Sequence, residues 1–453
     1  MKKTRRFEDF AARLDPFHSG VWRTASAQAS WFTFAQMRAQ ADSGLIAEKL
    51  QWSLSKEEAW ETLFSRYYRA EMVAVLGALL QWRTLTGQQL SAFVGNDKYA
   101  ARFTSPSSSR LMRALWRLGF VEVGLMPTFG MKNNKDAPTL WRPRNTGNMK
   151  RLWKDLSFAQ RIAISGGREP LVQHLFDRHN TLTTELALRF CQLAEAGGVL
   201  GESLASFDDL SGGRWSSLPG VHKASNPMAD GALVRPDGVR IALELTVTTG
   251  SFFKKAMRWA KLLEATPYDE SGLVVCFVSA PPAEAPRHLR KEVRKTLRKA
   301  LAHVQFQHPG VRGDLTASRI CVAQWEDWFP ARGEVSPSFP LLGAKRPTGG
   351  PDNLFEDVSL MDVFDLPSPA APGLDALGPQ TLKLAGTPAF FARRFDDDCS
   401  LDLLRFELAQ LGLSKPLVRE GELVKSDTFA GARTPIALAF KSGMVSAPPV
   451  SHI

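Results

Sequence analysis

Hydrophobic and polar residues recur along the chain with two periods, and these periods predict the order of helices and strands. Apolar positions spaced three or four residues apart predict helices over 70–80, 86–95, 105–118 and 181–194. Short apolar runs predict strands at 229–234, 239–247, 273–278 and 319–325, with helices at 251–264 and 284–305 between them. Helices mixed with strands in this order predict a multidomain protein of the α/β and α+β classes.

Composition divides the chain of 453 residues into four regions and a tail. Nine prolines between 337 and 388 interrupt any sustained periodicity, which predicts a disordered linker there. The predicted regions are a helical N-terminal extension (1–68), a small helical module with strands (69–150), an α/β core (170–330), the proline-rich linker (331–390) and a C-terminal segment with one helix at 400–413 (391–453).

The charge balance indicates the class of partner. Lys and Arg number 57 against 46 acidic residues, which gives a net charge of +11. A basic surface attracts polyanions, so DNA is the expected partner. No apolar run is long enough for a membrane span, and the four cysteines are widely separated, so we expect a cytoplasmic protein without a disulfide framework.

The module at 69–150 has the element order of a winged helix-turn-helix. Thr86 and Gly95 bound a short second helix, Ser105 and Pro106 open a third helix, and 120–123 predicts a strand that enters a wing. The third helix would enter the major groove of DNA. Its predicted DNA-binding residues are Ser107, Ser108, Arg110, Arg113 and Arg117. The alternative is a three-helix bundle that mediates protein contacts.

Two carboxylates in the α/β core form the candidate chemical centre. Asp230 begins one strand of a predicted hairpin, and Glu244 lies within the apolar run of the next strand. A carboxylate is costly there unless it binds a metal or a cation. Two carboxylates on neighbouring strands would suit Mg²⁺, which can activate water for attack on a phosphodiester.

The segment resembles the PD-(D/E)xK nuclease signature in both acids, with Thr246 where that signature has lysine. The resemblance implies a restriction-endonuclease-like core, with a lysine supplied by the following helix. The apolar stripe of 251–264 favours Lys261, then Lys254, and directs Lys255 further away. Glu185 would complete the site from the first helix of the core. With the preceding module, residues 70–325 resemble the replication-relaxation family of actinobacterial plasmids and mobile elements.

Two further segments carry candidate binding functions. Cations recur along one face of 284–305, and Arg290, Arg294 and Arg298 are predicted to follow a DNA backbone. Acidic and large apolar residues alternate at 353–366, which predicts either docking to a protein partner or packing on the chain's own basic surface.

The expected function is that of a DNA-binding protein with a Mg²⁺-dependent nuclease-like domain. It would act on plasmid, mobile-element or phage-related DNA, in replication, transfer or defence. The alternative is an inactive DNA-binding regulator or adaptor, which keeps the nuclease fold as a platform for dimerisation or DNA tracking.

Overall fold

The computed structural model describes parts of the chain between residues 16 and 363. These are residues 16–18, 29–45, 50–94, 103–125, 139–144, 146–156, 164, 176–194, 198–205, 210, 228–235, 239–246, 252–282, 285–308, 316–348 and 355–363. The described residues from 28 to 181 form one compact unit, and residues 16–18 with those from 182 onward form the other. The fold is mixed α/β, as the pattern predicts.

The first unit combines helices with a small antiparallel sheet. In chain order its elements are β1 (Ser30–Phe32), α1 (Phe34–Asp42), α2 (Lys56–Phe64), α3 (Arg66–Trp82), β2 (Leu85–Thr86), α4 (Gly87–Val94), α5 (Arg110–Arg117), β3 (Val121–Leu125), β4 (Leu140–Pro143) and α6 (Met149–Asp155). The sheet order is β1-β3-β4-β2, with every pairing antiparallel. Because β1 comes from the predicted extension, that extension belongs to the same sheet as the hairpin.

Side-chain caps explain where several of these helices begin. The Thr86 hydroxyl accepts from Gln89 N at 3.1 Å, and the Gln89 amide oxygen accepts in return from Thr86 N, which confirms Thr86 as a cap. Ser65 caps α3, so a boundary at residue 68 cuts a helix. Ser105 caps only a 3-10 turn over Pro106–Ser108, and α5 begins later, behind its own cap Ser109.

The second unit is built on a sheet with seven strands. Helix α7 (Asp177–Leu193) contains the division between the two units, and the elements that follow are β5 (Gly198–Gly201), β6 (Gly231–Val234), β7 (Arg240–Thr246), α8 (Phe252–Ala265), α9 (Tyr268–Ser271), β8 (Leu273–Ser279), α10 (Arg287–Gln307), β9 (Ile320–Gln324), α11 (Trp325–Trp328), β10 (Gly343–Pro347) and β11 (Phe355–Ser359). The strand order is β11-β10-β9-β8-β7-β6-β5. Strands β7, β8 and β9 run parallel, and the outer pairings are antiparallel.

The central parallel strands β7 and β8 are buried inside the core. Every residue of β7 and β8 is buried, which suits strands with both faces covered. The apolar faces of α8 and α10 pack on one side of this sheet, where Trp259, Leu297 and Phe277 belong to a single buried cluster. This packing fixes the start of α8 close to the end of β7.

The described part of the predicted linker contains regular structure. Residues 343–347 and 355–359 form β10 and β11, and β10 also pairs with β9. The prediction of disorder at these positions is therefore wrong. The proline at 340 lies before β10, the one at 347 ends it and the one at 351 lies between the two strands, so none interrupts a strand. The described part of the 353–366 motif packs on the chain's own sheet, with Glu356 and Asp357 paired to Arg346 and Lys345.

Other predictions lie outside the described residues. These are the 400–413 helix, the whole 391–453 segment and both ends of the 353–366 motif. Across the described ranges, no helix combines the length and the apolar character that crossing a membrane requires.

Candidate active site

Asp230 directly precedes β6, beside the strand β7 that contains Glu244. The β6–β7 ladder ends at Gly231 paired with Leu243, so Asp230 and Glu244 are the next residues beyond that end. Asp230 N donates to Leu243 O at 2.8 Å, and Leu245 N donates to Asp230 Oδ2 at 2.6 Å. Apart from the effect of burial, the Asp230 charge raises the pKa of both Glu244 and Lys255, so the two carboxylates lie close to each other and to this lysine.

Glu244 is held by two donors from helix α8. Lys255 Nζ lies 2.6 Å from Glu244 Oε2, and Trp259 Nε1 donates to Glu244 Oε1 at 2.7 Å. The Glu244 side chain is 1% exposed, whereas the Lys255 side chain is 39% exposed. The ammonium group thus stands between a buried carboxylate and solvent.

The lysine at the site is Lys255, and the preference for Lys261 and Lys254 was wrong. Both of those side chains are exposed, while Lys255 is partly buried. The prediction placed Phe253 and Met257 on the buried stripe, but the structure buries Phe252 and Trp259 there and leaves Phe253 exposed. The helix is therefore rotated relative to the predicted stripe, which brings Lys255 to the sheet.

A signal for Lys255 was present in the sequence. Lys255 and Trp259 are four residues apart, so they share one face of α8. A buried Trp usually finds an acceptor for its ring N–H, and Glu244 was the carboxylate expected within the apolar strand β7. Trp259 could therefore have indicated which lysine faces the acid.

The site combines two carboxylates with one cation, and burial and these charges shift the pKa of Glu244 and Lys255. Burial raises the pKa of Glu244, the Asp230 charge raises it further, and Lys255 opposes part of the rise. Burial disfavours the charged form of Lys255, but Asp230, Glu244 and Glu202 outweigh it and raise the pKa of this lysine above its usual range. Lys255 is therefore an ammonium ion at neutral pH.

The donor set fits a hard divalent cation that relies partly on water. Within the described ranges, no group of three or more His, Cys, Asp or Glu side chains is arranged to hold a metal. Mg²⁺ commonly uses only one or two carboxylates and completes its shell with water and substrate phosphate. Asp230 and Glu244 supply such a pair. Trp259 donates to Oε1 and Lys255 to Oε2, so an ion that binds Glu244 would have to share or displace one of these two donors.

Glu185 has a different role from the predicted one. Its carboxylate is buried and pairs with Arg189 Nε at 3.0 Å, one turn further along α7. The Arg189 guanidinium lies 4.2 Å from the centre of the Phe329 ring. Glu185 therefore neutralises a buried arginine, which is a structural role rather than the predicted one.

The predicted DNA-reading face of α5 is largely engaged within the first unit. Arg110 donates to the Thr62 hydroxyl at 3.1 Å, while Arg113 and Arg117 each donate to the main chain of the α1–α2 connection, to Trp52 O and Leu54 O, at 2.9 Å. Residues preceding the predicted module thus cover this face, which helical periodicity alone could not show. Ser107 and Ser108 remain exposed in the 3-10 turn.

Helix α10 presents its cations to solvent more openly. The exposed cations on it are Arg287, Lys291, Arg294, Lys295, Arg298 and Lys299. Arg290 differs, because it donates to Ala285 O at 3.0 Å and pairs with Glu326, which gives it a structural role. Arg294 lies 3.5 Å from Glu326 and is still exposed.

Comparisons of this chain with protein-family models, with curated proteins and with solved structures found no match. The geometry of the site is therefore the basis for inferring the function. In this mixed α/β fold, the site combines two carboxylates with an adjoining ammonium group.

Proposed function

We propose that the protein binds DNA and hydrolyses phosphodiester bonds with Mg²⁺, through a PD-(D/E)xK-like site on β6, β7 and α8. The observation that carries this proposal is the position of Asp230 at the end of the β6–β7 ladder, next to Glu244, with Lys255 Nζ 2.6 Å from Glu244. The element order α7-β5-β6-β7-α8-α9-β8-α10-β9 supports a restriction-endonuclease-like core, and α3 to β4 supports a winged helix.

Each residue of the site has a distinct role in this proposal. Asp230 and Glu244 would hold the Mg²⁺ ion, which supplies a polarised water and offsets the charge on the phosphate. Asp230 is oriented by the bond from Leu245 N, and Glu244 by Trp259. Lys255 is a permanent cation at the solvent side, so it can orient a nucleophilic water and stabilise the developing negative charge.

Burial of Glu244 favours a second function, a DNA-binding platform without turnover. Both Glu244 oxygens already have partners, and only 1% of its side chain is exposed. In this alternative, Lys255 and Glu244 form a structural ion pair that stabilises the junction of β7 and α8. Metal-dependent cleavage distinguishes the two functions.

The test is incubation of the purified protein with supercoiled plasmid, with Mg²⁺ or with EDTA. We expect nicking that needs Mg²⁺ and is lost in Asp230→Asn and Glu244→Gln. Glu244→Gln keeps an acceptor for Trp259 Nε1, so it removes the charge with little change in shape. A gel shift without cleavage in Mg²⁺ or Mn²⁺ would favour the platform, and cleavage by Glu244→Gln would exclude the proposed mechanism.

A further inference from the structure

A cleft lies between helix α10 and the hairpin of β10 and β11. Its volume is about 240 Å³, and its apolar lining includes Leu297, Val322, Ala344 and Val358. Arg294, Arg298 and Lys345 contribute cations to its wall, and Asp327 and Asp357 contribute carboxylates. The cleft therefore offers an apolar floor with both kinds of charge at its edges.

Two charged groups in this cleft are available for a ligand. Within the described part of the chain, neither the Asp327 carboxylate nor the Arg298 guanidinium has a hydrogen-bond or ion-pair partner. By contrast, Asp357 is paired with Lys345 at 2.6 Å, and Arg294 lies 3.5 Å from Glu326. Burial raises the pKa of Asp327 and the nearby Arg294 charge opposes part of that rise, so the cleft has one acceptor and one cation that form no direct hydrogen bond or ion pair within the described residues.

The cleft and the carboxylate pair lie on the same face and at the same edge of the sheet. Glu244 pairs with Phe277, which pairs with Val322 in the cleft floor. Partners in parallel strands point to the same side, and two strand spacings measure roughly 10 Å. One step nearer the edge, Thr246, Ser279 and Gln324 form a polar row across the same strands. The row ends at Gln324, which lines the cleft.

A nucleotide of a strand that crosses Asp230 and Glu244 has the chemistry to fill this cleft. Its phosphate is an anion for Arg298 and Arg294, and its base is a flat group for the apolar floor. Guanine places two N–H groups side by side on its Watson–Crick edge, and an ionised carboxylate has two acceptor oxygens to match them. Thymine offers a single N–H at that edge.

We propose that the cleft is a nucleotide subsite, in which Arg298 and Arg294 hold a phosphate and Asp327 selects an unpaired guanine base. The proposal rests on the proposed function, because it places this nucleotide next to the bond that Asp230 and Glu244 act on. It adds a preference for a base to a site that otherwise contacts only the sugar-phosphate chain.

The test measures binding by the full chain carrying Glu244→Gln, which prevents cleavage. Its probes are a single-stranded dT 12-mer and the same oligonucleotide with one central dG. A bidentate contact with a base discriminates by roughly tenfold, so we expect the dG probe to bind about ten times more tightly. Adding Asp327→Asn should abolish that preference. Adding Arg298→Ala should weaken both probes equally, because a phosphate contact is independent of the base.

Asp357→Asn is the matched control, since it changes the other acid of the cleft and should leave the dG preference intact. Thermal unfolding confirms that each variant is folded. Equal affinity for the two probes, absence of binding to both, or a preference that survives Asp327→Asn would overturn the subsite. If wild type cleaves plasmid but the Glu244→Gln protein shows no dG preference, the subsite alone is rejected. If the dG preference is present but wild type does not cleave plasmid, the nuclease is rejected and the cleft is retained.

Discussion

At the scale of single residues, the account depends on the balance of charge around Glu244. Burial and the neighbouring Asp230 both raise the pKa of Glu244, and Lys255 only partly opposes them. The folded protein therefore holds the Glu244 proton more tightly than the unfolded chain does. By linkage, ionisation of Glu244 costs stability as the pH rises from its unfolded pKa through its folded pKa. Lys255 titrates well above this range.

This balance predicts a pH-dependent effect of Glu244→Gln on stability. An unfolded glutamate has a pKa of about 4.3. We expect the free energy of unfolding of Glu244→Gln, relative to wild type, to increase as the pH rises above that value. The measurement is urea unfolding in EDTA at pH 5 and at pH 8. A difference between the two proteins that stays constant with pH would contradict the raised pKa.

At the scale of elements, the sequence predicted most of the fold but not which faces are covered. Strands β6 to β9 and helices α8 and α10 lie within a few residues of their predicted positions, because their apolar patterns are long and bounded by turns. Lys255 was missed because a small rotation of α8 exchanges Phe253 for Phe252 on the buried face. The internal partners of Arg113 and Arg117 were missed because they are main-chain oxygens at 52 and 54, to which no side-chain pattern points.

The cations of α10 are exposed, whereas Arg113 and Arg117 of α5 have internal partners, so we expect α10 to contribute more to DNA affinity than α5. Replacement of Lys295 and Lys299 by alanine should weaken binding of duplex DNA and reduce its salt dependence. The expected loss of slope in a plot of log affinity against log salt is up to about 0.9 for each lysine that contacts a phosphate.

Arg113→Ala is the comparison variant for this experiment. It removes a charged hydrogen bond to Trp52 O, so we expect the free energy of unfolding to fall by about 1.5–3 kcal/mol while DNA affinity stays unchanged. Unchanged affinity and slope in the α10 variant, with reduced affinity in the folded Arg113→Ala protein, would assign DNA binding to α5 instead.

At the scale of the whole molecule, the candidate active site and the α10 surface lie in the second unit, whereas the helices and strands of the proposed winged helix lie in the first. The carboxylate pair, the cationic face of α10 and the cleft belong to one sheet and the helices on it. The net charge of +11 does not show where the cationic side chains lie, but six exposed cations lie on the single helix α10. The hairpin of β10 and β11 extends this sheet and forms a wall of the cleft, in a region where proline density alone predicted disorder.

The central claim is that Lys255, brought to Glu244 by helix α8, completes a site for phosphodiester hydrolysis. The most direct test compares Mg²⁺-dependent nicking of supercoiled plasmid by wild type, Lys255→Met and Lys261→Met, with thermal unfolding to confirm that each is folded. Loss of a charge-stabilising donor costs about 10²–10³-fold in rate, so Lys255→Met should fall by that amount and Lys261→Met should match wild type. A folded Lys255→Met protein that nicks at the wild-type rate would contradict the account.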